Sequence, residues 1–202
     1  MVQLGWWPEM ETIIQYCKIK KHSQTPPKEG FLFPLSLVTS GMKENKFEFQ
    51  YEVYDDINGL TPGDAEVLRK ARAVTKQAYA PYSNFFVGAA AKMNNGEIVL
   101  GTNQENASYP VGTCAERVLL GNAATLFPGT AIDTIAISYD SKTVKSDHPI
   151  SPCGMCRQAL LEYEGRSNQP IRLILGGQEG KIFVIKTASS LLPFAFSGSE
   201  LG

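Results

Sequence analysis

The chain has 202 residues, 43% of them hydrophobic, and a net charge of −1 from 19 basic and 20 acidic side chains. This is enough apolar material for one sizeable core, one domain rather than two. It is too little positive charge for a general attraction to phosphate backbones, which argues against a nucleic-acid partner. No apolar run approaches the roughly 18 residues of a membrane span.

Residues 1–46 differ in character from the rest. They hold Trp6-Trp7, the cluster Lys18, Lys20 and Lys21, then Pro26-Pro27, and a short apolar run from Phe31 to Val38 broken by Pro34. A secretory signal needs an early basic region followed directly by an apolar core, and here the run comes late and is short. The segment reads as an N-terminal extension, poorly ordered or an over-extended start, with Met42 a natural beginning and a short docking segment as the rival reading. The functional domain is expected over 47–202.

Phe47 to Tyr54 alternates apolar and polar residues, the pattern of a short strand or extended arm. Thr61-Pro62-Gly63-Asp64 then opens a helix: Thr61 caps, Pro62 fits the first turn, and Asp64 and Glu66 complement the positive end of the dipole. Its apolar face continues to Tyr79, and Pro81 stops it. Phe85 to Met93 and Glu97 to Asn103 read as two strands joined by the hairpin turn Asn94-Asn95-Gly96. A helix begins around Cys114, with Thr113 as its N-cap and Val118, Leu119 and Ala123 on one side, and runs to about Leu126 before Pro128-Gly129. Ile132 to Tyr139 is a central strand, and Asp140 to Ile150 a polar loop containing His148. Pro152, at the first position of the next helix, leads it to about Tyr163. Two strands, Ile171 to Leu175 and Lys181 to Ile185, and a helical turn over Ala188 to Leu192 complete the series. Alternation of this kind predicts an α/β fold, a three-layer α-β-α sandwich around a mixed five-stranded sheet with its ligand crevice at a switch point.

Two stretches carry chemistry, Thr113-Cys-Ala-Glu-Arg117 and Pro152-Cys-Gly-Met-Cys156. Cys153 and Cys156 can aim two sulfurs at one point, and Cys114 offers a third from another helix end. A structural zinc site takes four protein ligands, whereas a catalytic one takes three and leaves a corner for water. Three cysteines without an obvious fourth ligand form the open arrangement. A closed site has no use for Glu116, two residues after Cys114, but a hydrolytic site needs a carboxyl to carry protons. Three thiolates leave a net charge of about −1 on the metal site, which Arg117 can offset by hydrogen-bonding the sulfurs. With three cysteines so used, only Cys17 is left over. That argues against a disulfide framework and for a reducing, cytoplasmic setting. His148 is read as a solvated loop residue and not as a metal ligand.

The order Cys-x-Glu followed by Pro-Cys-x-x-Cys is that of the zinc nucleobase deaminases, and further stretches narrow the match. Ala80-Pro-Tyr-Ser-Asn-Phe-Phe-Val-Gly-Ala-Ala90, Asn103-Gln-Glu-Asn-Ala-Ser-Tyr-Pro110 and Leu191-Leu-Pro-Phe-Ala-Phe196 make the chain resemble the small, three-cysteine, homotetrameric cytidine deaminases, over roughly Phe47 to Ser197. The resemblance implies Zn²⁺ on Cys114, Cys153 and Cys156, Glu116 as the proton carrier, and Arg117 behind the thiolates. It implies a nucleoside substrate, cytidine or deoxycytidine, with the ribose held by Asn103 and Glu105, although a polar turn after a strand explains these two as well. Phe85 would pack on the pyrimidine, with Phe86 the competing ring and a core phenylalanine the plain alternative. Tyr109 and Ala115 would also touch substrate. Phe196 would reach a neighbouring subunit's site or be a packed C-terminal aromatic. Rival readings are a structural zinc module, a thiol redox protein built on Cys153 and Cys156, and a deaminase of another aminopyrimidine nucleoside such as an antibiotic.

Overall fold

The computed structural model describes residues 43–201, so the expectations for the extension fall outside the described residues except at 43–46. The elements in chain order are β1 (Glu52–Tyr54), α1 (Pro62–Val74), β2 (Phe85–Met93), β3 (Ile98–Thr102), α2 (Ala115–Leu126), β4 (Ile132–Ser141), α3 (Gly154–Ser167), β5 (Arg172–Gly176) and β6 (Ile182–Ile185), with short 3-10 turns between some of them. Phe47–Gly202 forms one compact unit. Among the described residues no helix is long and apolar enough to cross a membrane.

The strands form one mixed sheet in the order β1-β6-β5-β4-β2-β3. β4 and β5 are parallel, and every other neighbouring pair is antiparallel. The expected five strands are six. The addition is β1, which pairs Glu52 to Tyr54 with Val184 to Ile182 along the outer edge of β6. An uncovered edge leaves backbone donors and acceptors in want of partners, and the Phe47 to Tyr54 alternation supplies a strand that meets them, with Tyr51 packing on Phe183 at 4.9 Å between ring centroids.

The period of two in each strand divides the core between the two faces. Ala89, Ala91 and Met93 of β2, Ile135 and Ile137 of β4, and Leu173 and Leu175 of β5 pack with Leu119, Leu120 and Ala123 of α2 and Leu160 and Tyr163 of α3. Ala90, Ala136 and Ile174, one residue out of step, pack on the other face with Ala65, Leu68 and Ala71 of α1. Helices therefore cover both faces, the expected α-β-α layering. Glycines in the strands let them come close. Gly88 of β2 makes room for the Ala71 carbonyl of α1, and a side chain at Gly101 of β3 would run into the Ala115 carbonyl and the Leu119 backbone of α2.

Several ends differ from expectation. α1 is capped by Thr61, whose hydroxyl accepts from Asp64 N at 3.2 Å, but it stops at Val74, not Tyr79. Tyr79 instead donates its N–H to the Asn103 carbonyl at 3.0 Å and receives the Glu105 N–H at 2.8 Å, and a residue bonded sideways to an extended segment cannot also continue a helix. α3 runs four residues past Tyr163, to Ser167, and closes on Asn168 in the left-handed region at φ 48°, a position asparagine tolerates.

Candidate metal and active site

The three cysteines meet where two helices begin. Cys114 is itself the N-cap of α2 (φ −71°, ψ 153°), so the cap lies one residue later than the expected Thr113. Cys153 is the N-cap of α3 (φ −68°, ψ 170°), and Pro152 stands just outside the helix and not at its first position. Cys156 sits in the first turn of α3 and is buried. Helix N-termini carry partial positive charge from their unpaired N–H groups, which favours thiolate over thiol.

The Sγ atoms of Cys114 and Cys153 are 3.8 Å apart, those of Cys153 and Cys156 3.4 Å, and all three lie within 4.8 Å of one another. Zinc with Zn–S bonds near ~2.3 Å and tetrahedral angles spaces its sulfurs by about 3.8 Å. The donor set therefore fits zinc in both type and spacing, and among the described residues this cluster has three protein donors, not four. All three are free thiols. A hydrogen bond from Cys156, with help from Cys153 and the charge of Arg117, outweighs burial and lowers the Cys114 pKa to about 6. The same hydrogen bond, together with burial and the Glu116 charge, raises that of Cys156.

Glu116, in the first turn of α2, is only 5% exposed. Burial raises its pKa, as does the charge on Cys114, against hydrogen bonds from its own backbone N–H and with Cys156. A carboxyl whose charged form is disfavoured in this way is suited to take up a proton and give it back. Arg117 was expected on the sulfurs. Its side chain instead makes a long contact, Nη1 to the Met155 thioether at 4.0 Å, and its effect on Cys114 is through charge.

A cleft of about 480 Å³ opens over Cys114, walled by Tyr82, Ser83, Asn103, Gln104, Glu105, Asn106, Tyr109, Gly112, Thr113 and Met155. Three of the expected contacts, Asn103, Glu105 and Tyr109, line it. Phe85, Ala115 and Phe196 do not. Asn103 bridges the β2 backbone, accepting from Val87 N at 2.7 Å and donating to the Phe85 carbonyl at 2.9 Å, so the polar-turn reading accounts for part of its side chain. Glu105 accepts from Tyr82 N at 2.8 Å and Ser83 N at 3.3 Å. Burial opposes its charge, but bonds from Ser83 and Tyr82 prevail and hold the carboxyl below its ordinary value. Tyr109 is exposed and meets Tyr82 edge-on at 6.1 Å. Ala115 is fully buried as the first residue of α2.

Strand parity separates the two candidate rings. Phe85 shares its side of β2 with Val87 and Ala89, the face of α2 and α3, whereas Phe86 shares the face of α1 with Ala90. Phe85 stacks on Tyr139 at 4.9 Å, and Phe86 lies under Lys142 Nζ at 5.5 Å. Phe196 is 59% exposed, and its carbonyl accepts from Gln158 of α3 at 2.9 Å. His148 stands outside the donor cluster, against Tyr139 and Asp147. Sequence reasoning missed Tyr82, Gln104, Thr113 and Met155 as cleft walls. Each stands in one of the stretches quoted for the resemblance, but only the fold brings them together: Met155 comes from the first turn of α3, and the segment after Asn103 folds back so that Gln104 and Thr113 exchange backbone hydrogen bonds at 2.8 and 2.9 Å.

A mixed sheet between helices, three thiols at two helix N-termini and a buried carboxyl beside them together define a zinc-dependent hydrolytic site. Comparison with known proteins narrows this class. The family described as the cytidine and deoxycytidylate deaminase zinc-binding region matches residues 62–168. A cytidine deaminase of Halalkalibacterium halodurans is 37% identical over 135 residues, covering 67% of this chain and 95% of the relative. One from Sporosarcina psychrophila is 36% identical over 138 residues, covering 67% and 93%. The crystal structure of cytidine deaminase from Burkholderia pseudomallei aligns with a TM-score of 0.57 at 37% identity, over 68% of this chain and 100% of that one. The chain belongs to the cytidine and deoxycytidylate deaminase family.

Proposed function

We propose that the chain hydrolyses the exocyclic amine of cytidine and deoxycytidine, giving uridine or deoxyuridine and ammonia. The observation that carries this reading is the placement of Glu116, a buried carboxyl within reach of a three-thiol cluster that fits zinc. Zinc, held by Cys114, Cys153 and Cys156, supplies an activated water when bound. Glu116 receives one proton from that water and passes it to N3 of the pyrimidine, which makes C4 electrophilic. After oxygen adds to C4, Glu116 carries the second proton to the amine, and the C–N bond breaks with release of ammonia. Both water protons are then accounted for, one on N3 and one on the departing nitrogen. Asn103 and Glu105 hold the ribose and Tyr109 completes the wall; Phe85, outside those walls but on the sheet face that the metal helices cover, is assigned to the base, and Ala115 lies buried between Cys114 and Glu116 in the chain.

The family spans nucleoside and nucleotide substrates. The cleft favours the nucleoside, because no lysine or arginine is among its described walls and Glu105 adds a negative charge. A phosphate dianion would enter unpaired. We further infer a homotetramer in which Phe196 reaches a neighbouring subunit's site, supported by the exposure of both Phe194 and Phe196 on the C-terminal segment. Thiol ligands suit a reducing cytoplasm.

The test combines metal analysis with an ultraviolet assay. The wild-type chain is expected to hold one zinc and to turn over cytidine and deoxycytidine far faster than deoxycytidylate. Glu116→Gln should keep the zinc while kcat falls about 10²- to 10⁴-fold, the usual worth of a general acid–base. A Glu116→Gln enzyme with full ammonia release, or an active metal-stripped enzyme, would refute the reading.

A further inference from the structure

Phe85 comes to the base with one face already occupied, because its ring stacks on Tyr139 at 4.9 Å and 15° between planes. Tyr139 is fully buried and is itself held at its far end. Its hydroxyl donates to the Lys145 carbonyl at 3.0 Å, which leaves its lone pairs for the His148 ring, whose Nδ1 lies 3.1 Å away. That ring meets Tyr139 edge-on, with centroids 5.6 Å apart, and its Nδ1 is also 3.1 Å from Asp147 Oδ1. The loop bearing these groups is clasped by the turn after β5. Glu179 N donates to the Ser146 carbonyl at 3.2 Å, Gln178 Nε2 donates to the Tyr139 carbonyl at 3.2 Å, and a side chain at Gly177 would run into Ser146.

The proton chemistry uses none of these residues, yet each is fixed from two sides, and the series ends on the ring assigned to the pyrimidine. We infer that Tyr139 and His148 are positioning residues that set the tilt of Phe85 from behind and leave its opposite face to the base. This rests on the assignment of Phe85 to the base made under Proposed function. The gain from aromatic stacking depends on offset and tilt, and a ring ordered before the ligand arrives loses less freedom on binding. Such a contact is made alike in the ground state and the transition state, so its loss appears in KM and not in kcat.

Steady-state kinetics on cytidine, with zinc content as the check on folding, tests this. Tyr139→Leu removes the stack and is expected to raise KM about tenfold, the upper end of what an aromatic pair contributes. Tyr139→Phe keeps the ring, loses both hydroxyl bonds, and should recover most of the loss, leaving KM about threefold high. His148→Ala, on a side chain 59% exposed and so no threat to the core, should raise KM by no more than Tyr139→Phe, since it removes one of the two hydroxyl bonds. The two together should cost less than the sum of their separate effects, because they share that bond. kcat stays within about twofold throughout, as for a uniformly made contact. Unchanged KM in His148→Ala and Tyr139→Phe, or losses that fall on kcat, would overturn the inference even if Tyr139→Leu failed to fold. Phe85→Leu separates the two readings. If it raises KM while the Tyr139 and His148 variants do not, only the positioning role fails, and if it leaves KM unchanged, the assignment of Phe85 to the base fails and the positioning role with it.

Discussion

Glu116 and Glu164 are both buried acids on helices that reach the same face of the sheet, and their surroundings give them opposite work. Glu164 accepts three backbone N–H groups, from Ile171 at 2.6 Å, Ala188 at 2.9 Å and Ser189 at 3.0 Å. It is a fixed acceptor that ties α3 to the entry of β5 and to the turn after β6. Glutamine there presents an NH₂ to at least one of those donors, so Glu164→Gln should destabilise the chain by about 1–3 kcal/mol in chemical denaturation while zinc content and kcat hold. Glu116 has thiols for neighbours beside its own backbone N–H, which suits a group that must change protonation. Cys153 is exposed, so its removal leaves no core cavity. Cys153→Ala should therefore lose zinc retention in dialysis against a mild chelator, with far-ultraviolet circular dichroism unchanged.

The site is put together by elements that sequence spacing cannot bring into contact. α2 carries Cys114 and Glu116, α3 carries Cys153 and Cys156, and the relative depth of the two is set by how closely each lies on the sheet. Gly101 sets that depth for α2, because its missing side chain is where the Ala115 carbonyl and the Leu119 backbone sit. Gly101→Ala should cost about 1–3 kcal/mol of stability, the usual penalty of overpacking. Because the displaced helix end bears a ligand, the variant should also give up zinc to a competing chelator faster than the wild type. A stability loss with zinc exchange unaltered would show that the helix end does not follow the strand. α3 is placed from its other flank as well, since Arg157 donates from Nε to the Pro152 carbonyl at 2.9 Å and from Nη1 to the Leu191 carbonyl at 3.1 Å.

At the scale of the whole molecule, the described elements begin at Glu52, the family match at residue 62, and relatives are covered over 93% and 95% of their own lengths by 67% of this chain. We infer from these bounds that the proposed catalytic unit needs nothing before Met42. A chain beginning there is expected to keep one zinc, wild-type kcat and a native mass of four subunits. Loss of activity or assembly on that truncation, measured by the same assay and by light scattering, would instead assign residues 1–41 a docking role. β1 should be retained in any such truncation, because without it the outer edge of β6 lies open.

The sequence by itself determined the chemistry and the order of elements. Cys-x-Glu and Pro-Cys-x-x-Cys name the donors and the acid because a zinc hydrolase needs those residue types at short spacing, and alternation, turn residues and caps locate strands and helices because these are local properties of the chain. A near miss has a tertiary cause: Thr113 is the better capping residue by type, but its backbone pairs with Gln104 and the helix starts one residue later, with Cys114 as the cap. What tertiary structure decided is everything that depends on a distant partner. The sixth strand exists because β6 has an edge to fill. α1 stops at Val74 because Tyr79 bonds to Asn103 and Glu105, the Asn103 amide is largely engaged with β2, and strand parity puts Phe85 on the face that the metal helices cover and Phe86 on that of α1.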